Sequence, residues 1–493
     1  MRYITVGGSG RGRRGIRPLP VLFALLLTAG IGGCDFLDPT EVQNPRTTDE
    51  DLAGATEPVR ALMPGLRAQM ARATGSQVVI SEVVSDNYSV QGTGINPIFD
   101  DPRSVGPSVL DFTSAAQGIY WNSQELRALA DFILDEIAPI DDAASADHLA
   151  EAHYYRGIAY LIQGESFIAA PTEADGPARP GTELLQRAVS DFEASITGAA
   201  GGEFALPARA ALARTHRLLG DPGSATQAAQ QALGESGTFV FSQQFDATGI
   251  VNAPNTFTVQ RSLKEFQPLP RLDFLDPKYE GRETPIPVAK AEEMHLILAE
   301  AALAGDDVET GRDHLVDAIE LALSRPAASW TDDDQRLNID LSPRPRSSEI
   351  VVRADPDSPF REGLVLDRPN VQIPLYRISR TSLSADSVAA LTDADEVWHA
   401  FHLARQEIMF LEGRRMSDLG IRLPMMLREV DANPNISAEG EGTRPFVPDH
   451  IPPNAQMDRF DPASPEDAGT TEVTIRHDMN RILTANRVSP FLN

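Results

Sequence analysis

Residues 397–419 read VWHAFHLARQEIMFLEGRRMSDL, and this stretch decides the fold of the chain. Its apolar residues recur at steps of four and three, which places them on one stripe of an α-helix. The stripe consists of Val397, Phe401, Ala404, Ile408 and Leu411, and Met409 and Met416 widen it. The pattern predicts a helix over residues 397–419 that is buried along a broad face.

The same stretch is densely charged between its apolar positions. The charged residues are Arg405, Glu407, Glu412, Arg414, Arg415 and Asp418. Arg414 and Asp418 lie four residues apart, a spacing at which two side chains of a helix can meet. Because an arginine binds a carboxylate through two parallel hydrogen bonds, we expect internal ion pairs that hold the fold together. An ordinary amphipathic helix with surface salt bridges is the alternative.

Residues 405–419 closely resemble a C-terminal signature of the SusD/RagB family, substrate-binding lipoproteins of the bacterial outer membrane. In that family the pattern is Arg-x-Glu, three or four apolar residues, Glu-Gly-x-Arg, two further residues, then Asp-Leu. Its places are filled here by Arg405, Glu407, Glu412, Gly413, Arg415, Asp418 and Leu419. Two departures concern packing: Met416 stands where the family often has an aromatic residue, and Gly420-Ile421 replaces a basic pair.

Composition excludes some classes of function. The chain has 493 residues, of which 42% are apolar, so it can bury a sizeable core. It has 43 basic and 71 acidic residues, a net charge of −28. Since nucleic-acid binding needs a basic footprint on the protein, this balance argues against such a partner.

The beginning of the chain has the layout of a secretory signal peptide, with basic residues at 1–17, an apolar run at 19–29 and small residues before Cys34. Cys34 is the only cysteine, so no intrachain disulfide can form. The sequence Ile31-Gly32-Gly33-Cys34 resembles the lipobox of bacterial lipoproteins.

The lipobox resemblance implies cleavage after residues 1–33 and a diacylglycerol on the sulfur of Cys34. Residues 34–49, which are polar and contain proline, would then form a lipidated tether. A standard cleavage site beside an incidental cysteine is the alternative.

Helical pairs of the tetratricopeptide type are predicted over residues 148–233. The offsets of small and aromatic residues fit such repeats best in residues 207–233. Residues 288–305, VAKAEEMHLILAEAALAG, predict a strong helix with residues 310–323 as its partner. This helix resembles a second SusD-family signature, which Ala291-Glu292 and Ala299-Glu300-Ala301 occupy.

Together with the third pair, assigned to residues 397–419, these elements predict a mainly α, SusD-like domain at residues 50–493. Long loops and a few short strands complete it. Residues 75–108 and 330–394 are rich in Gly, Pro, Asp and Ser and are predicted to be loops, which often carry function.

A ligand-binding surface is predicted on these loops, at Asp86, Asn87 and Tyr88, with Trp330 as a second candidate. A sugar site needs an aromatic face beside hydrogen-bonding groups, and few aromatic residues lie outside the strong helices. Ordinary packing of the loops is the alternative for each of these residues.

No catalytic constellation emerges from the sequence beyond residue 33. It contains no G-x-S-x-G, HExxH or phosphate-loop motif, so no enzyme activity or cofactor is expected. His399 and His402 lack a paired carboxylate motif, and residues 431–442 match a calcium loop incompletely. No metal site is predicted.

The family resemblance implies a lipid-anchored protein of the outer membrane that faces the outside. Such a protein captures oligosaccharide or oligopeptide nutrients and delivers them to a SusC-like TonB-dependent transporter. The alternative is a periplasm-facing tetratricopeptide lipoprotein that serves as a scaffold for other proteins.

Overall fold

The computed structural model describes residues 56–90, 96–111, 118–198, 202–259, 266–276, 278–331, 349–367, 371–453, 460–461 and 472–492. These residues form a mainly α fold, as predicted, with short two- and three-stranded sheets. None of the described helices is both long enough and apolar enough to cross a membrane. Cys34 lies outside the described residues, so its lipidation stays a prediction.

The helices in chain order are α1 Pro58–Val84, α2 Pro107–Asp111, α3 Ile119–Asp131, α4 Ala146–Ser166, α5 Gly181–Gly198, α6 Ala205–Leu218, α7 Pro222–Glu235, α8 Ala253–Thr258, α9 Ala291–Ala304, α10 Val308–Ser324, α11 Ala385–Ala389, α12 Ala394–Ile408, α13 Arg415–Asp418, α14 Leu427–Ala432 and α15 Met479–Ala485. Helix α3 continues into a π-helical turn, Phe132–Ile137.

The strands are β1 Tyr88–Val90, β2 Ala169–Ala170, β3 Arg179–Pro180, β4 Val240–Gln243, β5 Phe266–Pro268, β6 Ile286–Lys290, β7 Ala328–Thr331, β8 Val351–Arg353, β9 Gln372–Leu375, β10 Phe460–Asp461 and β11 Glu472–Ile475. All pairs are antiparallel except β8 with β11. Strands β2 and β3 form the small hairpin between α4 and α5.

Helices α4 and α5, α6 and α7, and α9 and α10 pack as neighbouring pairs, which is the arrangement that the repeat spacing predicts. Small residues allow the close approach. A Cβ at Gly157 would lie 2.6 Å from the ring of Phe192, and one at Gly311 would lie 2.6 Å from Leu303. Because no side chain larger than hydrogen fits there, these glycines set the spacing of two pairs.

The predicted loop over residues 75–108 is wrong in its first third, because α1 runs to Val84. Residues 75–84 are all buried, and a Cβ at Gly75 would lie 3.2 Å from the Cβ of Ala253. Gly and Ser have low helix propensity, but burial against the core outweighs that preference.

The prediction of one helix over residues 397–419 is also wrong. Helix α12 ends at Ile408, and Leu411 and Gly413 adopt positive φ angles of 57° and 73°. The backbone carbonyls of Ile408 and Phe410 accept hydrogen bonds from Lys290 and Lys278 instead of from helical N–H groups. These buried ammonium groups stabilise the turn that separates α12 from α13.

Candidate functional site

Residues 405–418 form a buried charge network with distant parts of the chain. At its centre, Oε1 of Glu412 lies 2.6 Å from Nζ of Lys278 and 2.6 Å from Nζ of Lys290. All three side chains are buried. Burial lowers the pKa of Lys278 to about 8, although Glu412 favours the charged form. One carboxylate is therefore shared by two buried lysines.

A second part of the network joins α12, α13, α6 and α9. Arg405 Nε donates to both oxygens of Asp418 at 2.9 Å, and Arg217 Nη1 lies 3.1 Å from the same carboxylate. Arg217 also binds Glu300. Burial opposes the ionisation of Asp418, but the two arginines lower its pKa below the usual range.

The side chain of Arg414 does not pair with Asp418, although the backbone N–H of Asp418 donates to the carbonyl of Arg414 at 3.1 Å as in a helix. Its guanidinium binds Glu293 of α9 at 3.0 and 3.2 Å. Although burial opposes ionisation, Arg414, Arg214 and Arg405 hold the pKa of Glu293 well below its usual range. The expectation of internal ion pairs is confirmed, with partners that the spacing did not indicate.

The predicted ligand residues Asp86, Asn87 and Tyr88 belong to this network and are buried, so the prediction that they present a binding surface is wrong. Asp86 binds Arg415 through two bonds, at 2.5 and 2.8 Å. Asn87 donates to Glu82 at 2.6 Å and accepts from Gln406 at 2.8 Å. These bonds use the polar groups that a ligand would need.

Tyr88 is packed rather than exposed. Its ring stacks on Phe266, with centroids 4.2 Å apart, and its hydroxyl donates to Asp276 at 2.8 Å. The other candidate, Trp330, lies in β7 opposite Ile373 of β9 and is partly exposed, so its role stays a prediction. The structure thus brings Asp86, Asn87 and Tyr88 together in the core and places Trp330 in the separate two-stranded sheet of β7 and β9.

A ligand-sized groove occurs elsewhere, between α3, α4, α5, α14 and the hairpin segment at 171–179. It consists of a cavity of about 980 Å³ and an adjoining one of about 440 Å³, which share Arg127 and Glu173 in their walls. We refer to both cavities together as the Trp121 groove.

Trp121 stands at the smaller cavity and is 52% exposed. The other two tryptophans are less accessible, since Trp398 is buried and Trp330 is partly covered. Glu125 and Ala128 follow on the same exposed face of α3, at steps of four and three. An aromatic residue on the polar face of a helix is the sequence signal for this site, and the loop-based prediction missed it.

The larger cavity is lined by paired charges. Arg156 Nη2 lies 2.9 Å from Asp191, and its Nη1 lies 3.2 Å from both Asp131 and Asp135. His153 Nδ1 also lies 2.9 Å from Asp191. Burial disfavours the charge of Arg156, yet its bond to Asp191 raises the pKa above the usual value.

This arrangement offers one flat aromatic face next to several fixed hydrogen-bonding groups. Asp135 and Glu173 line the groove, and arginines in its walls carry donors in planar forks. Such a surface can stack a sugar ring or an apolar side chain and bond to hydroxyl or amide groups.

Another cavity, of about 890 Å³, lies near residues 417–422 and 440–450. Phe446 is 54% exposed at its wall. This aromatic residue lies on an irregular segment, where its backbone pairs with Arg422. It therefore provides a comparison for Trp121, which is held on a regular helix.

Solved structures similar to this chain are SusD-like and SusD/RagB family proteins. A SusD superfamily protein from Bacteroides fragilis has 12% identity and a TM-score of 0.49, covering 86% of this chain and 97% of that one. A SusD/RagB family protein from Bacteroides thetaiotaomicron has 13% identity and a TM-score of 0.47, covering 78% of this chain and 96% of that one. A laminarin-binding SusD-like protein has 12% identity and a TM-score of 0.48, covering 73% of this chain and 90% of that one.

No protein-family model matches the sequence, and no curated protein matches it.

Proposed function

We propose that this chain is a SusD-like lipoprotein of the outer membrane that captures an oligosaccharide or oligopeptide and delivers it to a SusC-like TonB-dependent transporter. The observation that carries the capture step is Trp121, half exposed at the groove and fixed on a regular helix. A rigid aromatic face with polar groups around it binds extended, partly polar ligands without a large ordering cost.

The family assignment is supported by what the signature residues do. The side chains of Arg405, Glu412, Arg415 and Asp418 are all buried, and each bonds to another buried group. A sequence pattern that only happened to resemble the signature would have no reason to place four charged side chains in the core. Membrane attachment and the transporter partner are inferred from the lipobox-like sequence at Cys34 and the same resemblance.

The test of this function is a purification from native membranes in mild detergent, combined with a binding screen of polysaccharides and peptides. We expect a large β-barrel protein to co-purify and at least one ligand to bind with micromolar affinity. Protease added to intact cells should cut the chain.

A chain that resists protease until the outer membrane is opened, and that brings no barrel, would overturn the proposal. The periplasmic scaffold would then be the better account, since the pairs α4–α5, α6–α7 and α9–α10 are the kind of frame that binds other proteins.

A further inference from the structure

Two histidines and one aspartate converge on the pair α9–α10. His295 lies on α9, and His314 and Asp317 lie three residues apart on α10. Oδ2 of Asp317 is 3.6 Å from Nδ1 of His295 and 3.7 Å from Nδ1 of His314. One possible ligand atom from each residue lies within 4.8 Å of the other two.

The two Nδ1 atoms are buried and have no hydrogen-bond partner in the described part of the chain. Both are too far from Asp317 for a hydrogen bond. Buried polar atoms in folded proteins are nearly always bonded, so a pair of unbonded ring nitrogens facing one carboxylate needs an explanation.

We propose that His295, His314 and Asp317 form a binding site for a divalent transition-metal ion of the zinc type. Zinc binds imidazole nitrogen and carboxylate oxygen at about 2.0–2.2 Å in tetrahedral geometry, which places ligand atoms roughly 3.4 Å apart. The two nitrogen–oxygen distances exceed this by a few tenths of an ångström, and all three ligand atoms lie within 4.8 Å of one another, so rotations of the side chains would bring them to the zinc geometry.

The groups around His295 favour metal binding. An imidazole nitrogen binds a metal ion through its lone pair, and the buried Nδ1 of His295 lies 3.6 Å from Oδ2 of Asp317 without a hydrogen-bond partner in the described part of the chain. Glu292 is the other carboxylate near His295, but it is bound at 2.7 and 2.8 Å by Arg325. Asp317 is therefore the carboxylate available to the ion.

Three protein ligands leave a fourth position for water or for a group from another molecule. The bound ion would link α9, which carries Glu293 and Glu300 of the charge network, to α10. None of the three proposed ligands lines the Trp121 groove. The site is therefore independent of nutrient capture, and its test does not depend on a ligand being known.

The experiment measures Zn²⁺ binding to the full chain, purified without a polyhistidine tag, by competition with a chromogenic chelator. Variants are His295→Ala, Asp317→Asn and, as a matched control, His216→Ala, which removes a histidine that lies 3.9 Å from Asp221. Circular dichroism checks that each variant is folded, and Asp317→Asn changes a half-exposed side chain that the core does not need.

We expect one equivalent of Zn²⁺ in the parent and in His216→Ala, and affinity at least tenfold weaker in the other two variants. Co²⁺ should give the intense visible absorption of tetrahedral coordination with the parent. The His295→Ala variant, which lacks one of the two histidine ligands, should not show this absorption. The proposal is overturned if the parent binds no Zn²⁺, or if Asp317→Asn and His295→Ala bind it as the parent does.

Discussion

The Nζ atom of Lys290 is completely buried and lies 2.6 Å from Oε1 of Glu412. Lys278 donates to the same oxygen, and both lysines also donate to backbone carbonyls of the turn after α12. The glutamate of the Glu-Gly signature thus makes a charged turn stable inside the core. This is a structural role, and it explains why so much charge occurs beside a wide apolar face.

Replacing Glu412 with Ala should lower the free energy of unfolding by about 3–5 kcal/mol, because it removes the carboxylate that two buried lysines share. Urea denaturation measures this loss. As a control, Glu439→Ala removes an exposed carboxylate paired with Arg444 and should change stability by less than about 0.5 kcal/mol. Equal effects of the two substitutions would show that Glu412 is not a structural tie.

Arg415 and Asp86 should show strong coupling in a double-mutant cycle. Each single alanine variant leaves one buried charge unpaired, whereas the double variant removes both. We expect the double variant to be more stable than the sum of the single losses predicts, by roughly 1–3 kcal/mol. Strictly additive losses would contradict the pairing, and a change in ligand preference among variants that fold would contradict a purely structural role.

Gly413 is the position where the turn requires glycine. Its φ angle is 73°, and an added Cβ would lie 3.3 Å from the side chain of Gln77. Gly413→Ala should therefore destabilise the protein by about 1–2 kcal/mol, mainly through backbone strain. Gly234→Ala is the matched control, since a Cβ there meets nothing within 4 Å and the residue lies in helix α7. Thermal melts of both variants measure the change in stability, and the control substitution should be neutral or stabilising.

Glu82 predicts a pH dependence of stability. Burial raises its pKa from 4.5 to about 7, against the bond from Asn87, which favours the ionised form. At a pH between these two pKa values, the folded state binds more protons than the unfolded state. The contribution of Glu82 to the free energy of unfolding therefore falls as the pH rises from 4.5 through about 7. The loss by pH 8 is at most about 3 kcal/mol.

Glu82→Gln cannot titrate, so the comparison with the parent isolates this contribution from those of other groups. The stability of the variant relative to the parent should be higher at pH 8 than at pH 5, as measured by urea denaturation at both values. A relative stability that is the same at the two pH values would show that Glu82 does not titrate in this window.

Local patterns predicted the helical frame well because its causes are local. The offsets of small and aromatic residues indicate close-packed pairs, and in the structure Gly157 packs against Phe192 while Ala213 is fully buried. Burial of the charged residues near Arg405 was also predictable. Their partners were not, because Asp86 and Glu293 are far away in sequence and no spacing rule connects them to Arg415 and Arg414.

The candidate site was harder to predict, for two physical reasons. The segment containing Asp86 reads as a polar loop, since a sequence does not show that each polar atom will find a buried partner. Trp121 lies among the apolar residues of its helix in the sequence, but it shares the exposed face of that helix with Glu125 and Ala128.

The most direct test of nutrient capture is the affinity of Trp121→Ala for a ligand identified in the screen, measured by isothermal titration calorimetry beside Phe446→Ala. Both variants remove an aromatic side chain that is about half exposed, so their folding should be affected little and equally. Aromatic anchors typically contribute about 2 kcal/mol or more to binding, so Trp121→Ala should bind at least tenfold more weakly. Phe446→Ala should bind within about twofold of the parent. Unchanged affinity in Trp121→Ala would contradict the account.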